Sequence, residues 1–311
     1  MAERVLVTGG AGFIGSHVVD AYIDAGYEVA VVDNLSTGRR ENLNPKAIFH
    51  EISLLDAELP GIFATFQPTI VNHLAAQASV RRSVDDPAFD AGVNIIGSLK
   101  LLESARVSGV RKVIFSSTGG AIYGEQDYFP ADERHPKRPV SPYGVAKASV
   151  ELYLGYYAAQ YGLDYTALRY ANVYGPRQDP FGEAGVVAIF SQQMIEGEQP
   201  TINGDGEQTR DFVYVGDIVA ANLAAVNAAF TGAVNIGTGV ETSVLALFGL
   251  IQEAAGAVQE PKFGPAKPGE QLRSVLDPTM AAEKLGWRPE TPLRKGLGST
   301  VDFFRSRGDV V

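Results

Sequence analysis

The chain has 311 residues, 45% of them apolar and 20% charged, which is the balance of a globular protein of one large or two ordinary domains. A net charge of −10 argues against nucleic acid or an anionic membrane as the main partner, although a small anionic substrate needs only a few local arginines. Cysteine is absent, so disulfides, thiolate nucleophiles and cysteine zinc sites are excluded. Met1-Ala2-Glu3-Arg4 leads directly into the first strand, with no room for a signal peptide, and no apolar run reaches about 18 residues. A cytoplasmic protein is therefore expected. His17, His50, His73 and His135 lie far apart without metal-ligand spacing, so packed or surface histidines are expected and no metal site.

Taken in order, Val5-Leu6-Val7-Thr8 is a short β-prone run that stops at Gly9-Gly10-Ala11-Gly12-Phe13-Ile14-Gly15. Ser16 to Ile23 then reads as a helix with an apolar face. Strand, glycine turn and helix open a dinucleotide-binding βαβ unit: the turn is tight, the backbone approaches a pyrophosphate, and the helix N-terminus offers N–H groups and partial positive charge. Gly10-x-Gly12-x-x-Gly15 alone is a weak match, and a ligand-free glycine turn is its plain alternative. Context strengthens it: Glu28 to Val32 reads as a second strand ending at Asp33, 18 residues after Gly15. An acid there accepts hydrogen bonds from the adenosine ribose and repels a 2′-phosphate, favouring NAD over NADP.

Ala47–His50 and Thr69–His73 read as the third and fourth strands, and one long helical pattern lies within Pro87 to Val107. Lys112–Ser116 is the fifth strand, Tyr143–Tyr161 a helix, and Tyr165–Arg169 the sixth strand. Such alternation implies an α/β, Rossmann-type doubly wound parallel sheet with right-handed crossovers, whose ligands bind at the carboxyl ends of the strands. The second half is punctuated by glycine and proline, with helical patterns near Val186–Glu196, Val215–Ala229, Ser243–Ala255 and Leu293–Phe304. The expected division is an NAD-binding domain over 1–170 and a smaller α/β substrate lobe over 171–311, with about 211–240 packing back on the first domain.

The chemistry centres on Ser141-Pro142-Tyr143-Gly144-Val145-Ala146-Lys147, where Tyr143 and Lys147 share a helix face. A phenol with a pKa near ~10 is a poor base at neutral pH. A neighbouring ammonium lowers that value, and the positive nicotinamide ring of NAD⁺ would act the same way. The pair is thus a candidate general base for an alcohol oxidation. A surface Tyr and Lys on an amphipathic helix is the ordinary alternative, and the nucleotide loop upstream weighs against it. Thr118, just after the fifth strand in Phe115-Ser116-Ser117-Thr118-Gly119-Gly120, is the candidate hydroxyl to donate to a substrate oxygen. A Ser/Thr turn satisfying its own backbone is the alternative there.

Together the glycine loop, Asp33-Asn34-Leu35-Ser36-Thr37-Gly38, the Thr118 loop, Tyr143-x-x-x-Lys147 and Arg169-Tyr170-Ala171-Asn172-Val173-Tyr174-Gly175-Pro176 resemble the extended short-chain dehydrogenase/reductase superfamily. Within it the chain is most similar to the NAD-dependent epimerase/dehydratase family and its UDP-glucose (UDP-galactose) 4-epimerases, through Gly204-Asp205-Gly206-Glu207-Gln208-Thr209-Arg210 and the late Leu285-Gly286-Trp287. The resemblance implies a tightly bound NAD, a UDP-sugar oxidised at C4 to a 4-keto intermediate and reduced on the other face, and a homodimer built through two helices per subunit. The run Leu152-Tyr153-Leu154-x-Tyr156-Tyr157 would place aromatics at that interface. It further implies cofactor contacts at Gly9, Gly12, Phe13, Ile14, Gly15, Asp33, Asn34, Ser36, Thr37, Gly38, Ser53, Leu54, Leu74, Ala75, Ala76, Gln77, Asn94, Ser116, Tyr143, Lys147 and Tyr170. Substrate contacts are implied at Thr118, Asn172, Val186, Val187, Arg210, Lys267, Glu270 and Ser274.

The chain departs from the family pattern in places. Thr118 stands where serine is usual, and Gly119-Gly120 lengthens its loop by one residue. Ser53, with Leu54 after it, aligns with the usual adenine-contacting Asp, and either Ser53 or the nearby Asp56 takes its place. Lys267-Pro268-Gly269-Glu270 stands for Arg-x-Gly-Asp, exchanging a guanidinium fork for a point charge. A small residue at Ser274 leaves room for N-acetyl sugars. Arg210 would pair with the substrate phosphates, or else with nearby Asp211 or Asp217. Among rival functions, a nucleotide-sugar dehydratase would carry an Asp-Glu pair right after Thr118, which this chain lacks. A UDP-glucuronate decarboxylase would need an arginine for the sugar carboxylate, with Arg82, Arg177 and Arg273 as candidates. A non-catalytic NAD-binding regulator would be expected to lose the Tyr or the Lys.

Overall fold

The computed structural model describes residues 3–181, 185–266 and 271–308. The first half runs β1 (Arg4–Thr8), α1 (Phe13–Asp24), β2 (Glu28–Val32), β3 (Ile48–His50), α2 (Leu59–Phe66), β4 (Ile70–His73), α3 (Val80–Asp85), α4 (Pro87–Ala91), α5 (Gly97–Val107), β5 (Lys112–Thr118), α6 (Gly119–Ile122), α7 (Pro142–Tyr161) and β6 (Asp164–Tyr170). The second runs β7 (Asn172–Tyr174), α8 (Val186–Ile195), β8 (Thr201–Asn203), β9 (Thr209–Tyr214), α9 (Val215–Asn227), β10 (Gly232–Ile236), β11 (Glu241–Ser243), α10 (Val244–Ala255), β12 (Lys262–Gly264), β13 (Arg273–Ser274), α11 (Thr279–Leu285) and α12 (Leu293–Gly308).

Seven of these strands form one parallel sheet in the order β10-β6-β5-β4-β1-β2-β3. Runs such as Val5-Leu6-Val7 and Val113-Ile114-Phe115 are apolar throughout because helices cover both faces of a parallel sheet. One face packs α1 and α9 with Trp287 on Val5, Val7, Val29 and Ile114; the other packs α2, α5 and α7 on Leu6, Val71, Val113 and Phe115. A separate core under α8, α10 and α12 holds the lobe that carries β9 and β13. The elements α9 and β10, from the second half, lie with the first-half sheet: β10 pairs with β6, and α9 packs on α1.

Local signals in the sequence set the helix that matters most. Ser141 caps α7, its Oγ accepting from Gly144 N at 3.2 Å; Pro142 takes the first helical position; and Gly162, at φ +67°, ends the helix. Tyr143 is thereby held in the first turn. The long helix expected over Pro87–Val107 is instead broken by a π-helical segment, Gly92–Ile96, between α4 and α5. A π turn carries an extra residue and redirects the side chains that follow. Here it lets Asn94 reach the loop after β4.

Candidate active site

At the end of β1 the backbone itself shapes the cleft. Gly9 sits at φ +72°, and a Cβ there would lie 2.6 Å from Ala75 N; one on Gly15 would lie 2.0 Å from the Gly9 carbonyl oxygen. Only glycine permits that approach. Across from it, Leu74 N donates to Thr8 O at 3.1 Å and Ala75 N to Thr8 Oγ1 at 3.2 Å, with Ala76 next in line. The strand order reverses between β1 and β4, so these two loops flank the crevice where such sheets bind ligands. No side chain caps α1 at Gly12, so the amides around Phe13 and Ile14 keep donor capacity for an anion.

Asp33 follows β2 and is almost fully buried. Its Oδ2 accepts from Ala11 N at 3.0 Å and its Oδ1 from Leu35 N at 2.8 Å. A carboxylate has about four acceptor sites, so Asp33 holds the glycine turn and retains capacity for ribose hydroxyls. Asn34, Ser36 and Thr37 are exposed beside it, and a Cβ on Gly38 would lie 2.8 Å from Asp33 Oδ1. Beyond β3, Asp56 Oδ2 accepts from Ser53 N at 2.8 Å, so Asp56 closes the turn that presents Ser53, while the Leu54 side chain is buried in the core. A cradle with no room for Cβ atoms, an uncapped helix start and an acid after the second strand fit a dinucleotide.

The acid–base end forms where α7 crosses β5. Lys147 Nζ donates to Ser116 O at 2.7 Å and lies 4.7 Å from the Phe115 ring centroid and 5.8 Å from that of Tyr143. Burial pulls Lys147 down to about 8, against the opposing pull of Asp90 and Glu151. Tyr143 runs contrary to the expectation that Lys147 lowers it: burial first, and the Asp90 carboxylate second, hold its phenol above the ordinary value. The added positive charge of a bound cofactor would act in the opposite direction and favour the phenolate.

Thr118 is the last residue of β5 and its side chain caps nothing in α6. A Cβ on Gly119 would lie 2.3 Å from Leu276 Cδ1, and one on Gly120 would lie 3.8 Å from Asn172 Oδ1. The Thr118 loop, Asn172 and the strand carrying Ser274 therefore converge. Other expected contacts turn inward. Tyr170 OH accepts from Ser116 Oγ at 3.2 Å and from Asn222 Nδ2 at 2.8 Å. Asn94 Oδ1 accepts from Gln77 N and its Nδ2 donates to Gln77 O, both at 2.9 Å, while Gln77 Nε2 donates to Ser79 O at 2.8 Å and to Asp90 Oδ1 at 2.9 Å. Both side chains brace the loop after β4. His73 is a packed histidine, set between Thr8 Oγ1 and Ser98 Oγ at 2.8 Å each and brought to about 3 by burial and by Lys147.

Sequence reasoning missed the buried network behind this site. Ser117 Oγ donates to Glu151 Oε1 at 2.7 Å, Arg169 donates to both Glu151 oxygens at 2.9 and 2.7 Å, and Arg169 Nη1 donates to Tyr123 OH at 2.8 Å. Burial works against the Glu151 carboxylate, but the Arg169 hydrogen bonds and charge outweigh it and hold Glu151 below the usual range. The available signal was spacing: Glu151 follows Lys147 by four, as Lys147 follows Tyr143.

In the lobe, Arg210 on β9 lies in register with Ser274 on β13 and Thr242 on β11, and its Nη1 donates to Thr209 O at 2.8 Å. The alternative partners are taken. Asp211 accepts from Thr238 N, Thr238 Oγ1 and Gly239 N, and Asp217 from Glu290 N and Thr291 N. Val186 and Val187 open α8, and the Val187 side chain turns into the lobe core, leaving Val186 half-buried. Lys267 and Glu270 lie outside the described residues. The three arginines a decarboxylase could use have other contacts: Arg82 over the Phe89 ring at 4.2 Å, Arg177 with Asp20 at 2.8 Å, and Arg273 with Glu241 at 2.8 Å and over Phe129 at 3.8 Å.

A Rossmann-type sheet with a glycine cradle at one strand end and a Tyr-x-x-x-Lys helix crossing another defines a nucleotide-dependent oxidoreductase-type fold. Comparison with known proteins narrows it: the model of the NAD dependent epimerase/dehydratase family matches residues 5–237, and the chain belongs to that family. The UDP-glucose 4-epimerase of Mycolicibacterium smegmatis is 49% identical over 310 residues, covering 98% of this chain and 99% of its own. A UDP-glucose 4-epimerase of Thermotoga maritima, solved with UDP-glucose, is 56% identical, superposes with a TM-score of 0.96 and covers 98% of this chain and 99% of its own. The UDP-N-acetylglucosamine 4-epimerase of Methanobrevibacter ruminantium, solved in complex with UDP-N-acetylmuramic acid, is 40% identical with a TM-score of 0.94, covering 99% and 100%. Among the described residues no helix is long and apolar enough to cross a membrane.

Proposed function

We propose that the protein interconverts UDP-sugars at C4, as an isomerase that keeps its NAD bound from one turnover to the next. The observation that carries this reading is the junction of α7 with β5: Lys147 is fixed on the Ser116 carbonyl, Tyr143 shares its face, and Thr118 at the strand end is followed by Gly119, where a Cβ would collide with Leu276. The dehydratase acid pair has no place there. Bound NAD supplies the hydride acceptor and donor for C4. Tyr143 takes the proton of the sugar 4-hydroxyl and returns it, Thr118 donates to the same oxygen, and Lys147 holds the cofactor ribose and keeps positive charge beside the phenol. Asn172 and Arg210 hold the diphosphate, with Lys267 and Glu270, so that the 4-keto sugar turns about its linkage and is reduced on the other face. Val186, more than the inward-turned Val187, lies toward the uracil. Asp33 and the glycine turn select NAD, and Ser53 takes the adenine end.

UDP-glucose and UDP-galactose are the proposed substrates. Ser274 is small and buried in register with Arg210, which supports acceptance of N-acetyl sugars as well. For assembly we propose a cytoplasmic homodimer through α5 and α7. The run Leu152–Tyr157 divides in the fold: Leu154 and Tyr157 are core, while Leu152, Tyr153 and Tyr156 are exposed, as is Ile96 in the segment that packs against α7. Exposed apolar and aromatic side chains of this kind mark interfaces. The test is a turnover panel of UDP-sugars without added NAD. Interconversion of UDP-glucose and UDP-galactose is expected, and release of CO₂ from UDP-glucuronate in its place would overturn the reading.

A further inference from the structure

Behind Tyr143 and Lys147 lies a carboxylate that neither the sequence reading nor the proposed chemistry uses. Asp90, on α4, is 1% exposed. Its Oδ1 accepts from Gln77 Nε2 and from Asn94 Nδ2, both at 2.9 Å. Its Oδ2 is equally buried and meets no donor among the described residues. A buried carboxylate with one oxygen uncompensated is costly, and the cost is offset only by a nearby positive charge. Helix α4 packs on α7, and Asp90 lines one cavity with Ser141, Pro142 and Ala146, the chain neighbours of Tyr143 and Lys147, so the positive charge at hand is Lys147. Its ammonium is 4% exposed, has the Ser116 carbonyl as a hydrogen-bond partner, and forms no direct ion pair with a carboxylate among the described residues.

The groups around this pair come from every packed element. The Glu151 charge, from α7 itself, reaches Lys147, but its oxygens are held by Arg169, Ser117 and Lys137. His73, from β4, is neutral. Arg81, Arg82 and Asp85 on α3 and the cap residue Asp86 are exposed, where solvent and salt screen them. Tyr143 completes the set and faces Asp90 as well. Asn94, in the π-helical segment Gly92–Ile96, lies four residues past Asp90 and its amide folds back onto the same carboxylate.

We propose that Asp90 is a positioning residue of the acid–base site: its carboxylate, oriented by Gln77 and Asn94, is the buried counter-charge that keeps Lys147 an ammonium. This rests on the reading of Tyr143 and Lys147 as the working pair. Removing the charge makes the ammonium less favourable and the phenol easier to ionise, so both titrations move to lower pH. The test is Asp90→Asn, which keeps an oxygen to accept from Gln77 and Asn94. The titration of Lys147 is followed by ¹³C NMR of protein labelled at the lysine ε-carbon, its signal identified by its loss in Lys147→Met. The midpoint in D90N is expected at least half a pH unit below wild type, with Asp90→Glu returning toward the wild-type value, and both limbs of the kcat profile are expected to follow. An unmoved midpoint in D90N overturns the proposal, including when turnover is lost, since that outcome marks a purely structural role. If D90N does not hold its fold, Asp90→Ser carries the same test with the same two outcomes. The titration needs no substrate, so it stands or fails independently of whether a UDP-sugar is turned over.

Discussion

The turn after β1 and the loop after β5 are both strand-to-helix junctions at the carboxyl end of one sheet, yet different forces dominate in each. At β1 backbone meets backbone: Gly15 against the Gly9 carbonyl, Gly9 against Ala75. At β5 side chains do the holding: Lys147 on Ser116 O, Glu151 on Ser117, Arg169 on Glu151. The first junction is governed by excluded volume and is broken by adding a methyl group. The second shares a steric limit, at Gly119 against Leu276, but adds charge in a low-dielectric interior, so it is also broken by removing a group and is the one that responds to pH.

That contrast can be broken at several points. The largest expected effect is at the second junction. Arg169→Met leaves Glu151 charged, buried and short of its main partner, a loss of about 3–5 kcal/mol in denaturant unfolding; the double variant with Glu151→Leu is expected to recover part of it, and an additive double variant would contradict the pairing. Tyr143→Phe is expected to keep NAD bound and the fold intact while turnover falls by roughly two or more powers of ten. Loss of cofactor would mean that the phenol serves binding instead. At the first junction Gly15→Ala is expected to cost about 1–3 kcal/mol and to release NAD, whereas Gly61→Ala in α2, where a Cβ meets nothing within 4 Å, is expected to be neutral or stabilising.

A smaller effect follows from Lys147. Its folded value of about 8 lies below the 10.5 of a free lysine. Between those values the unfolded chain binds more protons than the folded one, so in cofactor-free protein stability rises with pH across that window. Lys147→Met is expected to flatten that rise, as read by chemical unfolding at pH 7.5 and pH 10. The smallest effect is at Ser274→Tyr, expected to lower the turnover ratio of N-acetylated to plain UDP-sugars with the fold unchanged; an unaltered ratio removes Ser274 from the sugar pocket.

Much of the first junction was legible in the sequence. Glycine spacing, the apolar run before it and Asp33 are local, and each residue type has a steric or hydrogen-bonding reason tied to its own position. Tyr143 and Lys147 were legible for the same reason, since helical spacing alone places them on one face. Their ionisation was not. The expected lowering of Tyr143 failed because it counted only the neighbour in sequence, while burial and Asp90, fifty-three residues upstream, act through space. The π-helical break at Gly92–Ile96 was hidden inside an ordinary helical pattern, and the contact of Asn94 with Gln77 that accompanies it joins residues seventeen apart in the chain. Val187, Tyr170 and Gln77 were placed toward ligands by motif, and the fold turned their side chains into the interior.

By itself, then, the sequence determined the sheet's character, the nucleotide turn and the shared helix face of Tyr143 and Lys147, because each is written in short-range spacing that sterics and periodicity translate directly. Only the tertiary structure decided which carboxylates surround that pair, which of the expected contact residues also brace the interior, and that within the segment expected to pack back on the first domain it is β10 that joins the sheet, beside β6. Those outcomes depend on distances between residues far apart in the chain, and in a buried site such distances set the charge of Lys147 and the proton of Tyr143.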